Sequence, residues 1–143
     1  MLEKLLEFKD ADFEGAGGIP KCFEGLDDKY GPVRYWAVIG LHNLCVGRSD
    51  IQKAKTAIGK LIYDDSWSVR IAAAQALCDW GEQEKGLPVL VEAIGNSHAS
   101  TRHFAMVAME KIGNKARPAL GAIKARLKDG YAGRVAKRIV AKL

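Results

Sequence analysis

Apolar residues recur along this chain at the spacing of one face of an α-helix. In three stretches, each opening near an arginine, apolar residues follow the arginine at three, seven and ten positions; after Arg34 these are Ala37, Leu41 and Leu44. This spacing places the apolar side chains on one stripe of a helix, which buries the stripe against neighbouring elements. The pattern therefore predicts an amphipathic helix after each arginine.

These helices belong to a unit that recurs four times. The segments GPVRYWAVIGLHNL, WSVRIAAAQALCDW, ASTRHFAMVAMEKI and YAGRVAKRIVAKL align with one another, with their arginines 36, 32 and 32 residues apart. A second apolar segment precedes each one, across a short turn of Asp, Asn, Ser and Gly. Two short helices cannot bury their apolar faces alone, but stacked pairs share one core. We therefore predict an all-α fold, an α-solenoid of about four helix-turn-helix repeats.

The whole chain reads as one domain, residues 1–143, without a linker or low-complexity tract. Pro88 lies near the predicted start of a first helix, where proline is tolerated, and Gly81 and Gly113 are expected to end helices in a left-handed conformation. The predicted elements are a leading helix at about 1–9 and repeats at about 17–46, 50–81, 84–113 and 115–143.

Polar residues in the turns complete the unit, because an Asp or Asn lies six residues before each of the first three arginines. This pattern resembles HEAT repeats, an armadillo-type fold with an Asp in the inter-helix turn and an Arg early in the second helix. In that family the Asp and Arg form a structural ladder; a phosphate-binding row of arginines is the alternative. The resemblance assigns to the ladder Asp28, Arg34, Asp64, Arg70, Asn96, Arg102, Asp129 and Arg134.

A narrower resemblance concerns the strings VRYWAVIGLHNL, SVRIAAAQALCDWG, LPVLVEAI and ARPALGAIKARLKD. They are similar to the helical-repeat region at the C-terminal end of some bacterial sulfatases. The sulfatase nucleophile motif, C/S-x-P-x-R, is absent from the sequence. The resemblance thus implies a sulfatase-associated appendage, exported with its enzyme, although the sequence contains neither a signal peptide nor a membrane-spanning segment.

Candidate chemistry is sparse. The three cysteines form no C-x-x-C motif and lie among apolar residues, so we expect buried thiols. The three histidines form no close ligand pair, and no carboxylate pair, phosphate loop or nucleophile–base grouping is visible. We predict no catalytic residues, no metal and no cofactor, and therefore a protein that is not an enzyme.

The charge is distributed unevenly along the chain. Residues 1–30 contain four lysines and eight acidic residues, whereas residues 111–143 contain ten basic residues and Asp129. A basic end favours either a solvated terminal cap or a nucleic-acid contact. The positive charge clusters in the last repeat and does not run along all the second helices. We therefore consider nucleic-acid binding the alternative and a protein partner the main hypothesis.

The second helix of each repeat is expected to line a binding face with positions one, four, five and eight after the arginine. This mixture of aromatic, soft and polar groups suits a protein partner of unknown identity, and nothing in it suggests a membrane contact. The predicted face consists of Tyr35, His42, Gln75, His103, Met106, Glu110, Arg138 and Lys142. Trp36 and Trp80 are predicted to be in the core, and Trp67 to cover the helix junction or to anchor a partner.

Overall fold

The structure, a computed structural model, describes residues 1, 3 and 17–143. All regular structure in the described range is helical, which confirms the predicted all-α solenoid. The predicted leading helix at about 1–9 lies outside the described residues, apart from Met1 and Glu3. The α-helices are α1 Gly18–Gly25, α2 Gly31–Leu44, α3 Ile51–Lys60, α4 Trp67–Asp79, α5 Gln83–Ile94, α6 Ala99–Ile112, α7 Leu120–Lys124 and α8 Gly130–Lys142.

The helices form four pairs, α1–α2, α3–α4, α5–α6 and α7–α8, in which each odd-numbered helix packs on the even-numbered helix that follows it. The even-numbered helices also pack on one another in chain order, and α4 makes its most extensive contact with α5 of the next pair. Each pair therefore buries its apolar stripe against its neighbours, as in a one-dimensional core.

The core contains the residues that the sequence periodicity singled out. Leu41, Leu77 and Met109, each seven residues after its arginine, are fully buried. Burying a side chain of this size stabilises the fold by about 2 kcal/mol relative to leaving it in water. The apolar stripe of the second helices is therefore a main source of cohesion between the pairs.

The contact between α4 and α5 is unusually close. A Cβ atom added at Gly86 would collide with the carbonyl oxygen of Ala74 and would lie 2.7 Å from Cys78 Sγ. Because Ala72, Ala73, Ala74 and Ala76 follow one another on α4 and are all buried, the backbone of α5 can approach this helix directly. Small residues on one helix and a glycine on the other thus fix the distance between the second and third pairs.

Several helix ends follow the sequence prediction, and others correct it. Gly81 and Gly113 have φ angles of 87° and 58° after α4 and α6, a conformation that glycine adopts without steric cost. Pro88, in contrast, is the sixth residue of α5 rather than near its start, because this helix already begins at Gln83. The first helix of the last pair is short, since a 3₁₀ helix over Gly113–Ala119 precedes α7.

The burial of the tryptophans agrees with the prediction for Trp80 but not for Trp36. Trp80 is buried, as expected, but Trp36 is 51% exposed, so its assignment to the core is wrong. Trp36 lies two positions after Arg34, at the border of the apolar stripe, where no neighbouring helix needs to cover a large ring. Trp67 is half-buried against the core at the start of α4.

Candidate functional site

Arg34 joins the first pair of helices to the second through the turn of each. Its Nε and Nη2 donate to the two carboxylate oxygens of Asp64 at 2.7 and 2.8 Å, and its Nη1 donates to the carbonyl oxygen of Asp28 at 2.8 Å. The Arg34 and Asp64 side chains are only 12% and 5% exposed. Burial raises the pKa of Asp64, but the hydrogen bonds from Arg34 and from the Ser66 amide more than offset this and leave it below its usual value.

Arg102 makes the corresponding link between the third and fourth pairs. Its Nε and Nη2 donate to Asp129 at 2.6 and 3.0 Å, and its Nη1 donates to the carbonyl oxygens of Asn96 and Ser97. The hydrogen bonds from Arg102 lower the pKa of the Asp129 carboxyl group. In both links, an arginine caps its own turn and binds a carboxylate in the turn of the next pair.

The middle link is different, because the next turn carries Asn96 instead of an aspartate. Arg70 donates from Nε to the carbonyl oxygen of Ile62 at 2.9 Å and from Nη2 to Glu92 at 3.0 Å. Its guanidinium also lies 3.8 Å from the centre of the Trp67 ring. Since the Glu92 side chain is 60% exposed, this ion pair is far more open to water than the other two links.

Asp28, Asp64 and Asn96 also close their own turns. In each case a side-chain oxygen accepts a hydrogen bond from the backbone amide two residues later, at 2.8–2.9 Å. An asparagine serves this turn as well as an aspartate does, because only one acceptor oxygen is needed. Asn96 therefore preserves the turn while lacking the charge that would hold Arg70.

The prediction that Arg134 is the fourth ladder arginine is wrong by one residue. The ladder arginines are the fourth residues of α2, α4 and α6, whereas the fourth residue of α8 is Gly133. A Cβ atom on Gly133 would lie 2.6 Å from the carbonyl oxygen of Leu127, so no arginine fits there. Arg134 is exposed, and its guanidinium lies 5.0 Å from the centre of the Tyr131 ring.

The predicted binding face also requires a correction, because Met106 is fully buried. Val38 and Ala74 occupy the same position, four residues after the arginine, and are equally buried. Each of these helices packs both on its own partner and on the even-numbered helices beside it. The buried arc is therefore wider than that of a helix covered on one side.

The remaining residues of the predicted face do not form one surface. Glu110 accepts hydrogen bonds from Arg138 at 2.9 Å and lies 3.5 Å from Lys142 Nζ, so these three side chains meet near the ends of α6 and α8. His42 lies 3.0 Å from Asp79 on the neighbouring helix, and burial lowers the pKa of its imidazole although Asp79 opposes this.

His103, Gln75 and Tyr35 complete the set. His103 is half-buried, with its ring centre 6.2 Å from that of Tyr131. Gln75 is half-buried on α4, and Tyr35 is half-buried on α2. Of the eight predicted residues, Tyr35 lines a groove that is formed by three even-numbered helices.

That groove has a volume of about 460 Å³ and crosses the beginnings of α2, α4 and α6. The sequence analysis did not predict this groove. Each of the three helices contributes its second residue and further residues of its first two turns. We call it the aromatic groove; its lining residues are Gly31, Pro32, Tyr35, Ser66, Trp67, Ser68, Ile71, Ser100, Thr101 and Phe104.

The rings in and beside the aromatic groove lie close together. The centres of Tyr35 and Phe104 are 6.1 Å apart, and Trp36 packs edge-on against Tyr35 at 5.5 Å. These distances are typical of aromatic pairs that fix each other's orientation. Trp67, for which the sequence left two roles open, packs partly against the core and also lines the groove.

Other candidate chemistry does not come together in the described residues. Among them, no group of three or more His, Cys, Asp or Glu side chains is placed to hold a metal ion. No described helix combines the length and apolar character needed to cross a membrane. The three cysteines are fully buried, and burial raises the pKa of the Cys22 and Cys78 thiols to about 11, which keeps them protonated and unreactive near neutral pH.

Comparison with known proteins agrees with this architecture. The family model described as HEAT repeats matches residues 54–143, more than half of the chain. No curated protein matches the sequence. Together with the stacked helix pairs and the turn-to-helix arginine links, the match shows that the chain belongs to the HEAT repeat family.

Proposed function

We propose that this chain is a non-catalytic protein-interaction module that binds a segment of a partner protein in the aromatic groove. HEAT repeats suggest an interaction or scaffold role in general terms. The observation that carries the more specific proposal is a groove of about 460 Å³ lined without a charged side chain by residues of three successive even-numbered helices. Concave sites with aromatic walls and a few polar groups are the usual form of a binding pocket.

The aromatic side chains supply the anchors for such a partner. Tyr35, Trp67 and Phe104 present rings to the groove, and Trp36 stands 51% exposed beside it. Tyrosine and tryptophan are enriched among the residues that carry most of the energy at protein interfaces. A partner segment that covers these rings would bury apolar surface that the chain leaves in water.

A peptide-display selection on the full chain tests this proposal. Selected peptides should bind the Tyr35→Ala/Phe104→Ala double variant at least about tenfold more weakly, because interface aromatics commonly contribute that much or more. Tyr63→Ala is the matched control, since Tyr63 is 83% exposed and does not line the groove. Selected peptides that bind all three proteins equally would refute the groove as the binding site.

Nucleic-acid binding through the basic C-terminal end is the competing proposal. Arg138 and Lys142 share Glu110 there, so part of the positive charge is already neutralised. Arg70, on a more central helix, is engaged by Glu92 and Trp67. We therefore favour a protein partner. Titration with duplex and single-stranded DNA at two salt concentrations decides the matter, because binding that persists at physiological salt would favour nucleic acid.

We also propose that the chain is an appendage of a larger enzyme of the sulfatase type. The support is the sequence resemblance of the four strings described above, which concerns the helical repeats and not the catalytic domain. Reading the coding sequence upstream tests this. An in-frame sulfatase domain is expected, and an unrelated upstream gene with its own stop codon would refute the link.

A further inference from the structure

The aromatic groove runs across the helices rather than along one of them. The second residues of α2, α4 and α6, namely Pro32, Ser68 and Ser100, line it in turn. Packed helices lie 8–10 Å apart, so the two steps from α2 to α6 span about 18 Å. An occupant that contacts the second residues of all three helices is therefore an elongated segment.

The groove is an open trough of about 460 Å³, so an occupant lies in it with one side facing solvent. The chemistry of the lining, rather than the volume, therefore selects the conformation of that segment. A polyproline II chain rises about 3.1 Å per residue, so about six residues cover the span.

The lining offers what a polyproline II chain needs. Its carbonyl groups have no internal hydrogen bonds and require donors, while its proline rings pack on aromatic faces. The hydroxyl groups of Ser68, Ser100 and Thr101 line the groove and take no part in the side-chain hydrogen bonds of the described residues. Arg70 stacks on Trp67 at 3.8 Å and so holds that ring in place.

The charges around the groove are already matched within the protein. None of the ten lining residues is charged. Asp65, which precedes the lining residue Ser66, pairs with Arg34, and Arg70, which stacks on the Trp67 ring, pairs with Glu92. The groove is therefore complementary to an uncharged segment, because a charged one would lose its hydration without gaining an opposite charge.

We propose that the aromatic groove binds an uncharged, proline-rich segment of about six residues in the polyproline II conformation. This inference rests on the proposed function, since it names the class of partner that the groove would take.

Fluorescence anisotropy with a labelled peptide of repeated Pro-Pro-Leu triplets tests the inference on the full chain. Saturable binding is expected, and a peptide with alanine in place of proline should bind at least about tenfold more weakly, because it must be ordered on binding. The affinity should not change between low and high salt, since no charges meet in the groove.

A pair of matched variants locates the binding. Ser100→Glu places a carboxylate in the groove at the second residue of α6, where the helix dipole favours an acid and the fold is preserved. Its affinity for the Pro-Pro-Leu peptide should fall about tenfold, because the carboxylate loses water without a partner. Gln52→Glu makes a comparable change at the second, exposed residue of α3 and should leave the affinity unchanged.

The absence of saturable binding, equal affinity for the proline and alanine peptides, or an equal loss in both variants would overturn the inference. The display selection separates this failure from failure of the proposed function. Groove-dependent peptides without proline would overturn the polyproline II assignment and leave the interaction role standing. Failure to recover any groove-dependent peptide would overturn both.

Discussion

The contact between the first and second helix pairs differs from the contact between the second and third in the residues that hold it together. Between the first and second pairs, Arg34 binds both carboxylate oxygens of Asp64 in a largely buried ion pair. Between the second and third, the turn offers the amide of Asn96, and α5 instead approaches α4 so closely that Gly86 has no room for a Cβ atom. The first joint thus adds a largely buried ion pair at the turns to its helix packing, whereas the second has only the exposed Arg70–Glu92 pair and adds a closer contact along the helices.

The spacing of neighbouring repeats can therefore be set by an arginine–carboxylate link or by close helix packing. An arginine–carboxylate link sets direction and distance through two hydrogen bonds, and it depends on the charge of both partners. Close packing of alanines around a glycine sets the same distance through steric exclusion and is insensitive to charge. The two joints should therefore respond to different substitutions and to different solution conditions.

Gly86→Ala should have the largest effect, because the added methyl group collides with the Ala74 carbonyl group and forces α4 and α5 apart. We expect a loss of about 3 kcal/mol in the free energy of unfolding, measured in urea. Gly59→Ala is the control, since nothing lies within 4 Å of a Cβ atom there. It should stabilise α3 slightly, and similar losses in both variants would contradict the close-contact joint.

Arg34→Met should cost about 2 kcal/mol, because the buried Asp64 carboxylate and the Asp28 carbonyl group lose the hydrogen bonds that Arg34 donates. Methionine keeps the apolar stem and so isolates the polar loss. The same substitution at Arg134 should leave the urea midpoint unchanged, because that guanidinium is exposed against Tyr131. Equal effects at the two positions would restore Arg134 to the ladder.

Asp64→Asn should cost about 1 kcal/mol at pH 7, because the turn survives, as at Asn96, while the charge is lost. The folded chain holds the pKa of Asp64 below its usual value. Its contribution is therefore present above the unfolded pKa and disappears as the pH falls through the folded pKa. Urea unfolding from pH 7 to pH 2 should show the two proteins converging below about pH 4; a constant difference would contradict this.

Asn96→Asp should have the smallest effect, a gain of about 0.5 kcal/mol, by offering Arg70 the carboxylate that its counterparts already have. The gain should shrink in high salt, because Arg70 is partly exposed. Asn114→Asp changes the net charge equally at an exposed site and should produce no gain. A loss of stability at position 96 would show that the middle joint excludes a polar link.

The sequence predicted most of the fold because a periodic apolar stripe leaves few alternatives. Leu41, Leu77 and Met109 follow the period and are buried. The ladder residue of the last pair was predicted wrongly, because Arg134 aligns with the other arginines in the sequence but is the fifth residue of its helix instead of the fourth. What decides that position is the approach of the Leu127 carbonyl to Gly133, a contact between backbones that no side-chain pattern records.

The candidate site could be predicted only in part. Tyr35 was found because it follows the arginine on the open side of its helix, but Met106 was misplaced because burial by two neighbours is a property of the stack. The aromatic groove needs residues from three helices at once. Phe104 and Tyr35 lie 69 residues apart in the sequence, and their 6.1 Å ring separation follows from stacking rather than from any local motif.

Gly86 also acts as a spacer for the groove. The curvature of a solenoid accumulates from the small rotation between successive units, and Gly86 brings α5, the partner of the helix that carries Phe104, into close contact with α4, the helix that carries Trp67. A single methyl group at this position, on the α5 helix that contributes no lining residue, would tilt one half of the superhelix against the other. We therefore expect Gly86→Ala to change the width of the aromatic groove as well as the stability of the fold.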